Sequence, residues 1–349
     1  MRANIRAGRP VARLVFASIA LAAAQAALAE NLDEKSLSLR LPAAMSRFAP
    51  YADVAGVGGA SAGSKWSSSV NPASVAWQPV PGDLHLSLSP QYSQVRFAND
   101  TVLHVAAEAL VWDMGDWGTI QPSLAQVRSN RKDTLQGPAF RFDTDLEQLQ
   151  WAKKVNPDWS LGANFNFSKS QTRFDLDPAP VSETNGETYG LRFGSLNRIA
   201  EGLLAGVVFD YAASPSRTTL YDFQGLGIGN TRVRDTGQQF ILRPGLSYEY
   251  WKDCTIYADY QLGTFRDSSG SLTVNRFYVG AEHALFKGAY LRGGAAMDTN
   301  GKTAWTTGFG LSPTERISID VGYQDNMFPE LGPELGRSHT LTISVGFTF

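Results

Sequence analysis

The last nine residues, Leu341-Thr342-Ile343-Ser344-Val345-Gly346-Phe347-Thr348-Phe349, alternate without a break between apolar and small or polar side chains. Successive side chains of a β-strand point to opposite faces, so this stretch has one apolar and one polar surface. A helix would need apolar residues three or four apart. The period of two recurs upstream. Ile317, Ile319, Val321 and Tyr323 alternate with Ser318, Asp320 and Gly322, and Leu203, Ala205, Val207, Phe209 and Tyr211 form one face of another segment. About fourteen such segments fill the chain to its end, among them 187–195, 202–213 and 238–251. Most reach the ~9–11 residues that a tilted strand needs to cross a bilayer.

The connections alternate too. Tight turns fall at Met114-Gly115-Asp116, Asn156-Pro157-Asp158, Lys252-Asp253, Lys287-Gly288 and Ser312-Pro313-Thr314. The opposite connections read as longer loops, including Asp177–Gly186 and Ser214–Gly237. Bacterial outer-membrane barrels have short periplasmic turns, longer external loops and an even strand number. Trp112, Trp117, Trp151, Trp159 and Trp251 lie beside the short turns, where an interfacial aromatic belt would stand. A secreted β-sandwich would share the rhythm but not the asymmetry of the turns. The expected fold is all-β, a barrel of about fourteen antiparallel transmembrane strands.

Composition excludes the competing classes. With 43% hydrophobic and 18% charged residues and a mean hydropathy of −0.19, the chain is too polar for a helical membrane bundle. Its longest apolar run, Leu14–Ala24, falls short of the ~18 residues of a spanning helix. It is also too apolar for disorder. Residues 1–29 carry Arg2, Arg6, Arg9 and Arg13, an apolar stretch and Ala27-Leu28-Ala29, the pattern of a cleaved signal peptide. Residues 30–81 read as a periplasmic extension and plug, and 82–349 as the barrel. Removing the signal takes four of 31 basic residues and leaves 27 against 33 acidic ones, a net charge of −6. Nucleic acid is therefore not an expected partner. Cys254, the single cysteine, allows no internal disulfide.

The polar parity places Arg192, Arg243, Asp259, Arg276, Glu282, Arg292 and Asp320 on the lumen face, and with them His104 and Glu108. Charges inside a narrow barrel need partners, because unpaired buried ions are costly. Gly190, Gly194, Gly280, Gly294 and Gly308 share that face and leave room for a plug. His85 with Ser87, and Ser338 with His339, lack an orienting third group, so no enzyme activity is expected. Neither a metal site nor a cofactor is expected, since four scattered histidines and no phosphate loop supply neither.

Residues 30–81 do not alternate. They contain Val57-Gly58-Gly59-Ala60-Ser61-Ala62-Gly63 and Val70-Asn71-Pro72-Ala73-Ser74-Val75-Ala76-Trp77. A Gly/Ala stretch followed by Asn-Pro-Ala just before the first strand resembles the hatch of FadL-type outer-membrane transport proteins and their PorV-like relatives. The resemblance implies a fourteen-stranded barrel plugged by its own N-terminus, with Gly58, Gly59, Asn71, Pro72 and Ala73 in the plug motif and Ser74 where a glycine is usual. It implies passive transport of small hydrophobic molecules that leave sideways into the membrane. The alternative is a PorV-like scaffold holding secretion-system proteins without transport. Outer-membrane lipid, lipopolysaccharide and the barrel-assembly machinery are the further partners. The final strand resembles the insertion signal of such barrels, carried here by Phe347 and Phe349. The loop at 177–186, short and polar, is not expected to form an apolar capture groove.

Overall fold

The computed structural model describes residues 35–48, 52–65, 68–78, 80, 84–176, 179–222 and 229–349. The signal-peptide reading lies outside these residues. Among them, fourteen strands close into one antiparallel barrel: β1 (Leu86–Phe97), β2 (Val102–Asp113), β3 (Thr119–Ser129), β4 (Ala139–Asn156), β5 (Trp159–Leu176), β6 (Ala179–Ala200), β7 (Leu203–Leu220), β8 (Thr231–Trp251), β9 (Cys254–Asp267), β10 (Gly270–Phe286), β11 (Ala289–Asp298), β12 (Thr303–Thr314), β13 (Ile317–Asp325) and β14 (Ser338–Thr348). Each pairs with its sequence neighbours, and β1 pairs with β14 from Ser87↔Thr348 to Phe97↔Ser338, so no edge remains open. Closure is what lets strands stand in lipid, since it leaves no row of backbone polar groups unpaired at a sheet edge.

The alternation sets the outer surface. Leu341, Ile343, Ile319, Val207, Phe193 and Phe165 are exposed on it. Trp112, Trp117, Trp151 and Trp251 ring the end with the short turns. Toward the other end, ring pairs meet tilted or edge-on across strands: Phe167 with Tyr189, Phe209 with Phe240, Tyr260 with Phe277, and Trp305 with Tyr323, at 4.9–5.3 Å between centroids. An apolar band between two aromatic belts is the surface a bilayer requires.

Two expectations are corrected. The external loops at 177–186 and 214–237 are mostly strand: β6 begins at Ala179, and β7 and β8 pair from Leu220↔Thr231 onward. These wall extensions rise past the apolar band, where water wets both faces and no apolar alternation is needed. The second correction concerns β2. Leu103, Val105, Ala109 and Val111 are buried inside, while His104 and Glu108 are exposed on the outer face. The interior here is itself apolar, so the polar residues of β2 turn outward.

Residues 326–337 between β13 and β14 fold into the outer mouth through a 3₁₀ turn (Pro329–Leu331) and α3 (Gly332–Leu335). Met327, Phe328, Leu331 and Leu335 pack on Phe97, Leu103, Phe140 and Phe142. The N-terminal helices α1 (Leu37–Met45) and α2 (Ala52–Gly56) and a 3₁₀ turn (Pro72–Trp77) lie against the inner wall below them.

Candidate functional site: a glycine-lined channel with its N-terminal segment inside

From the mouth inward, α1 runs along β8–β10, with Leu39 and Ala43 against Ile241, Phe265, Leu272 and Val274. Its outer end is held by Ser38 donating to Asp267 at 2.5 Å. The segment then crosses the barrel at mid-height, against one strand after another. Ser344 of β14 accepts from the Ala52 N–H at 3.0 Å, and Thr306 of β12 donates to the Gly56 carbonyl at 2.9 Å. Farther round, Asp259 of β9 accepts from the Ser61 and Ala62 N–H groups at 2.7 and 2.8 Å. Ser247 of β8 donates to the Gly63 carbonyl at 2.8 Å, and Arg192 of β6 donates to the Ser69 carbonyl at 2.7 Å. The wall thus satisfies the backbone groups of a buried segment that has little regular structure of its own.

The approach is close because the wall is bare there. Gly162↔Gly194, Gly206↔Gly245, Gly280↔Gly294 and Gly308↔Gly322 are cross-strand partners facing inward, a row of glycines around most of the barrel. A methyl group at Gly206 would stand 1.9 Å from the Ala62 carbonyl oxygen, and one at Gly280 2.2 Å from that of Val57. At Gly162 the nearest atoms would be Ala73 N and Pro72 C, at 2.5 Å.

The five motif residues occupy two corners of this path. Gly58 and Gly59 take φ of +72° and +82°, a left-handed turn that side chains resist. The Gly59 carbonyl accepts from Arg243. Asn71 is fully buried: its amide nitrogen donates to the Ala62 and Ser195 carbonyls at 2.7 and 3.0 Å, and its amide oxygen accepts from Ala73 N at 3.0 Å. That last bond caps the 3₁₀ turn, and Pro72 begins it without needing a donor partner. Ser160 donates to the Ala73 carbonyl at 2.9 Å.

The seven charged candidates all face inward, and the structure gathers them into four groups. Arg192 donates to Asp210 at 2.7 Å. Arg243 donates to Asp259 at 2.8 Å. Arg292 bridges Glu282 and Asp320 at 2.6 and 2.5 Å. Arg276 stands apart in the mouth, where it and Arg47 both donate to Glu330, at 2.6 and 2.9 Å. Arg40 pairs with Glu334 of α3. Burial would raise the Glu330 carboxyl, but the Arg276 and Arg47 guanidiniums outweigh it, and the group ends below its ordinary value. Glu330 and the arginines of α1 and its following turn escaped the sequence reading, because an irregular loop gives no parity to follow. Phe347 and Phe349 lie at the periplasmic end: Phe347 pairs with Leu88 and Ile317, and the Phe349 N–H donates to the Leu86 carbonyl at 2.9 Å. Among the described residues no His/Cys/Asp/Glu group is arranged to hold a metal ion.

The segment divides the lumen. On the outer side lies a chamber of about 330 Å³. Leu41, Met45, Phe48, Val127, Phe142 and Leu146 give it an apolar side, and Gln91, Gln148, Gln150, Asn166 and Arg192 a polar one. On the side of the short turns lies a polar cavity of about 380 Å³ with Asp53, Glu249, Asp253, Glu282, Arg292 and Asp320. The two share only Gln121 in their linings. The outer chamber instead shares Glu108, Ser123, Leu124 and Gln148 with a groove of about 530 Å³ on the lipid-facing wall. There the β2–β3 ladder stops at Ala109↔Ser123 and resumes at Trp112↔Ile120. Pro122, which has no N–H to give, sits in the gap.

Asp53 makes the docking of α2 sensitive to pH. Burial and the neighbouring Asp320 push its carboxyl up from 3.8 to about 6, against the pull of Arg292. An acid whose value is raised by docking favours the docked state while protonated and loses that contribution as pH rises through about 6. Proteolysis of residues 52–65 in the folded barrel is therefore expected to increase from about pH 4 to about pH 6 and to level off above it. The Asp53→Asn variant should show a flat profile across that window.

Solved channels share this architecture. TbuX, the toluene transporter of Ralstonia pickettii, superposes with a TM-score of 0.57 at 13% identity, over 86% of this chain and 98% of its own. CymD, a monoaromatic hydrocarbon channel, gives 0.55 at 13% identity over 86% and 99%. A FadL homologue from Pseudomonas aeruginosa gives 0.52 at 12% identity over 89% and 97%. No family model matches the sequence, and no curated protein matches it. The chain has the fold of the FadL-type outer-membrane channels, a fourteen-stranded barrel with its own N-terminal segment inside.

Proposed function

We propose that this barrel is an outer-membrane channel that admits small apolar molecules, of the monoaromatic hydrocarbon class, and releases them sideways into the membrane. The observation that carries this is the shared lining of the outer chamber and the lipid-facing groove at Glu108, Ser123, Leu124 and Gln148. An apolar solute gains by moving from chamber to groove to lipid without crossing the polar periplasmic cavity. The N-terminal segment acts as the plug, with Gly58, Gly59, Asn71, Pro72 and Ala73 fixing its two corners. The paired charges Arg192, Arg243, Asp259, Glu282, Arg292 and Asp320 brace it, and Arg276 braces the mouth. Phe347 and Phe349 mark the strand recognised by the assembly machinery, after export by a signal at residues 1–29. The test is the uptake of a labelled monoaromatic hydrocarbon by cells with and without the protein. Uptake is expected to fall severalfold without it, and equal uptake would overturn the proposal.

The PorV-like reading, a scaffold for secretion-system proteins, is not favoured by any contact. It would be supported by a stoichiometric protein partner purified with the barrel from native membranes.

A further inference from the structure

Above the aromatic belt, the outer face of the long β7–β9 wall is one-signed. Tyr211 and Phe240 are partners at the top of the apolar band. Three positions farther along the same face, Arg217 and Arg234 stand directly opposite each other, with Arg232 beyond them opposite Thr219. Arg266, at the outer end of β9, is the partner of Gln238. All four are exposed. None has an ion pair or hydrogen-bond partner among the described residues. The acids nearby are engaged elsewhere: Glu183 with Gln171 and Asn185, Glu187 with the Tyr189 hydroxyl, and Asp235 with Ser268. On β5, separated from this wall by β6, the pattern differs, since Arg173 pairs with Asp175 at 2.7 Å.

Like charges directly opposite each other across two strands destabilise a sheet unless an anion lies between them. Guanidinium groups suit phosphate, which they grip through paired N–H donors. Height decides which anion is in reach. Six residues of a tilted strand separate Tyr211 from Arg217, which places the pair about 15 Å above the belt. A barrel in an outer membrane has the phosphorylated sugar heads of lipopolysaccharide at that level, packed around its wall. We infer that Arg217, Arg232, Arg234 and Arg266 form a docking surface for the phosphate groups of outer-leaflet lipopolysaccharide. The inference rests on the outer-membrane residence proposed above but not on transport.

The test uses the full barrel in detergent, titrated with fluorescent lipopolysaccharide and with the same material stripped of phosphate. The variant Arg217→Gln/Arg234→Gln is compared with wild type and with Arg173→Gln, whose arginine already has an acid partner. The heat-induced shift on gels checks that every barrel is folded. The double variant is expected to bind about tenfold more weakly, the loss of two charge-assisted contacts. Arg173→Gln should bind like wild type. Removing phosphate should weaken wild type by a similar factor and the double variant little. Equal binding by wild type and the double variant, or indifference to phosphate removal, would overturn the inference. Complete competition by millimolar inorganic phosphate would also overturn it, since the site would then be one for free phosphate. A failed uptake experiment would leave these affinities unchanged, so the two readings fail separately.

Discussion

Replacing Gly206 with valine is expected to drive the N-terminal segment off the wall while the barrel itself still folds. Even a methyl group at this position would stand 1.9 Å from the Ala62 carbonyl oxygen and 2.9 Å from the Asn71 amide nitrogen. Neither the Ala62 backbone nor the buried Asn71 side chain has room to retreat, because Ala62 is also held by Asp259 and Asn71 by Ser195. The strand has no objection to the substitution: valine favours β-structure, and Gly206 keeps its partners Leu196 and Gly245. The expected result is a barrel with a normal gel shift whose residues 52–77 are cut by protease many times faster than in wild type. A second expected sign is conductance of small ions through a pore that wild type keeps shut. Gly308→Ala, where the nearest contact is 2.9 Å, should have a milder effect than Gly206→Val. Equal protection of the segment in wild type and Gly206→Val would show that the glycine row does not seat it.

The second large effect is expected in the mouth. Arg276→Met removes one of two guanidiniums from the fully buried Glu330 carboxylate. It also removes the bonds to Ser46 and the Ala43 carbonyl, both at 2.8 Å. Breaking a buried pair from one side costs about 3–5 kcal/mol, because the other charge stays behind. That cost falls on the docking of residues 326–337, which the barrel ladder does not need. Protease added outside whole cells should therefore cut this loop in the variant and spare it in wild type. Acid should reverse the defect. With Arg276 present, the carboxyl is held below its ordinary value, so the network contributes above that value and is lost as pH falls through the lowered one. In Arg276→Met the carboxyl keeps only Arg47 and rises, and protonating it relieves the charge that a single guanidinium leaves under-compensated. Arg276→Met/Glu330→Gln should recover much of the protection at neutral pH, and an additive double variant would refute the pairing.

The strand number was legible because an apolar band must be written on alternate residues wherever lipid touches the wall. Leu341 to Phe349 and Ile317 to Tyr323 show this plainly. Where lipid ends, the signal ends. Thr231–Gln238 and Ala179–Gly186 are strand with water on the outside, and their sequences look like loop. Alternation separates two faces without saying which is outer. On β2 the apolar face turns inward, where Leu103 meets Phe97 and Phe142, and Glu108 goes to the wall groove instead. The corners of the inner segment were visible in Gly58-Gly59 and Asn71-Pro72-Ala73, because only such residues make those turns. The hydroxyls that hold it, Ser160, Ser247, Thr306 and Ser344, sit at lumen parity, but nothing marks them among other small residues. Glu330 could not have been placed, since its partners, Arg47 and Arg276, come from the N-terminal segment and from a distant strand.

An apolar solute is expected to leave the chamber through the wall at Pro122 rather than through the inner segment. Leu124 lines both the chamber and the outer groove, so a larger ring there is expected to obstruct movement between them. The deciding measurement is the uptake rate of a labelled monoaromatic hydrocarbon by cells carrying Leu124→Trp, beside wild type and cells without the protein. The expected result is uptake as low as without the protein, from a barrel that is folded, abundant and still protects residues 52–77. Uptake at the wild-type rate from that barrel would contradict the account.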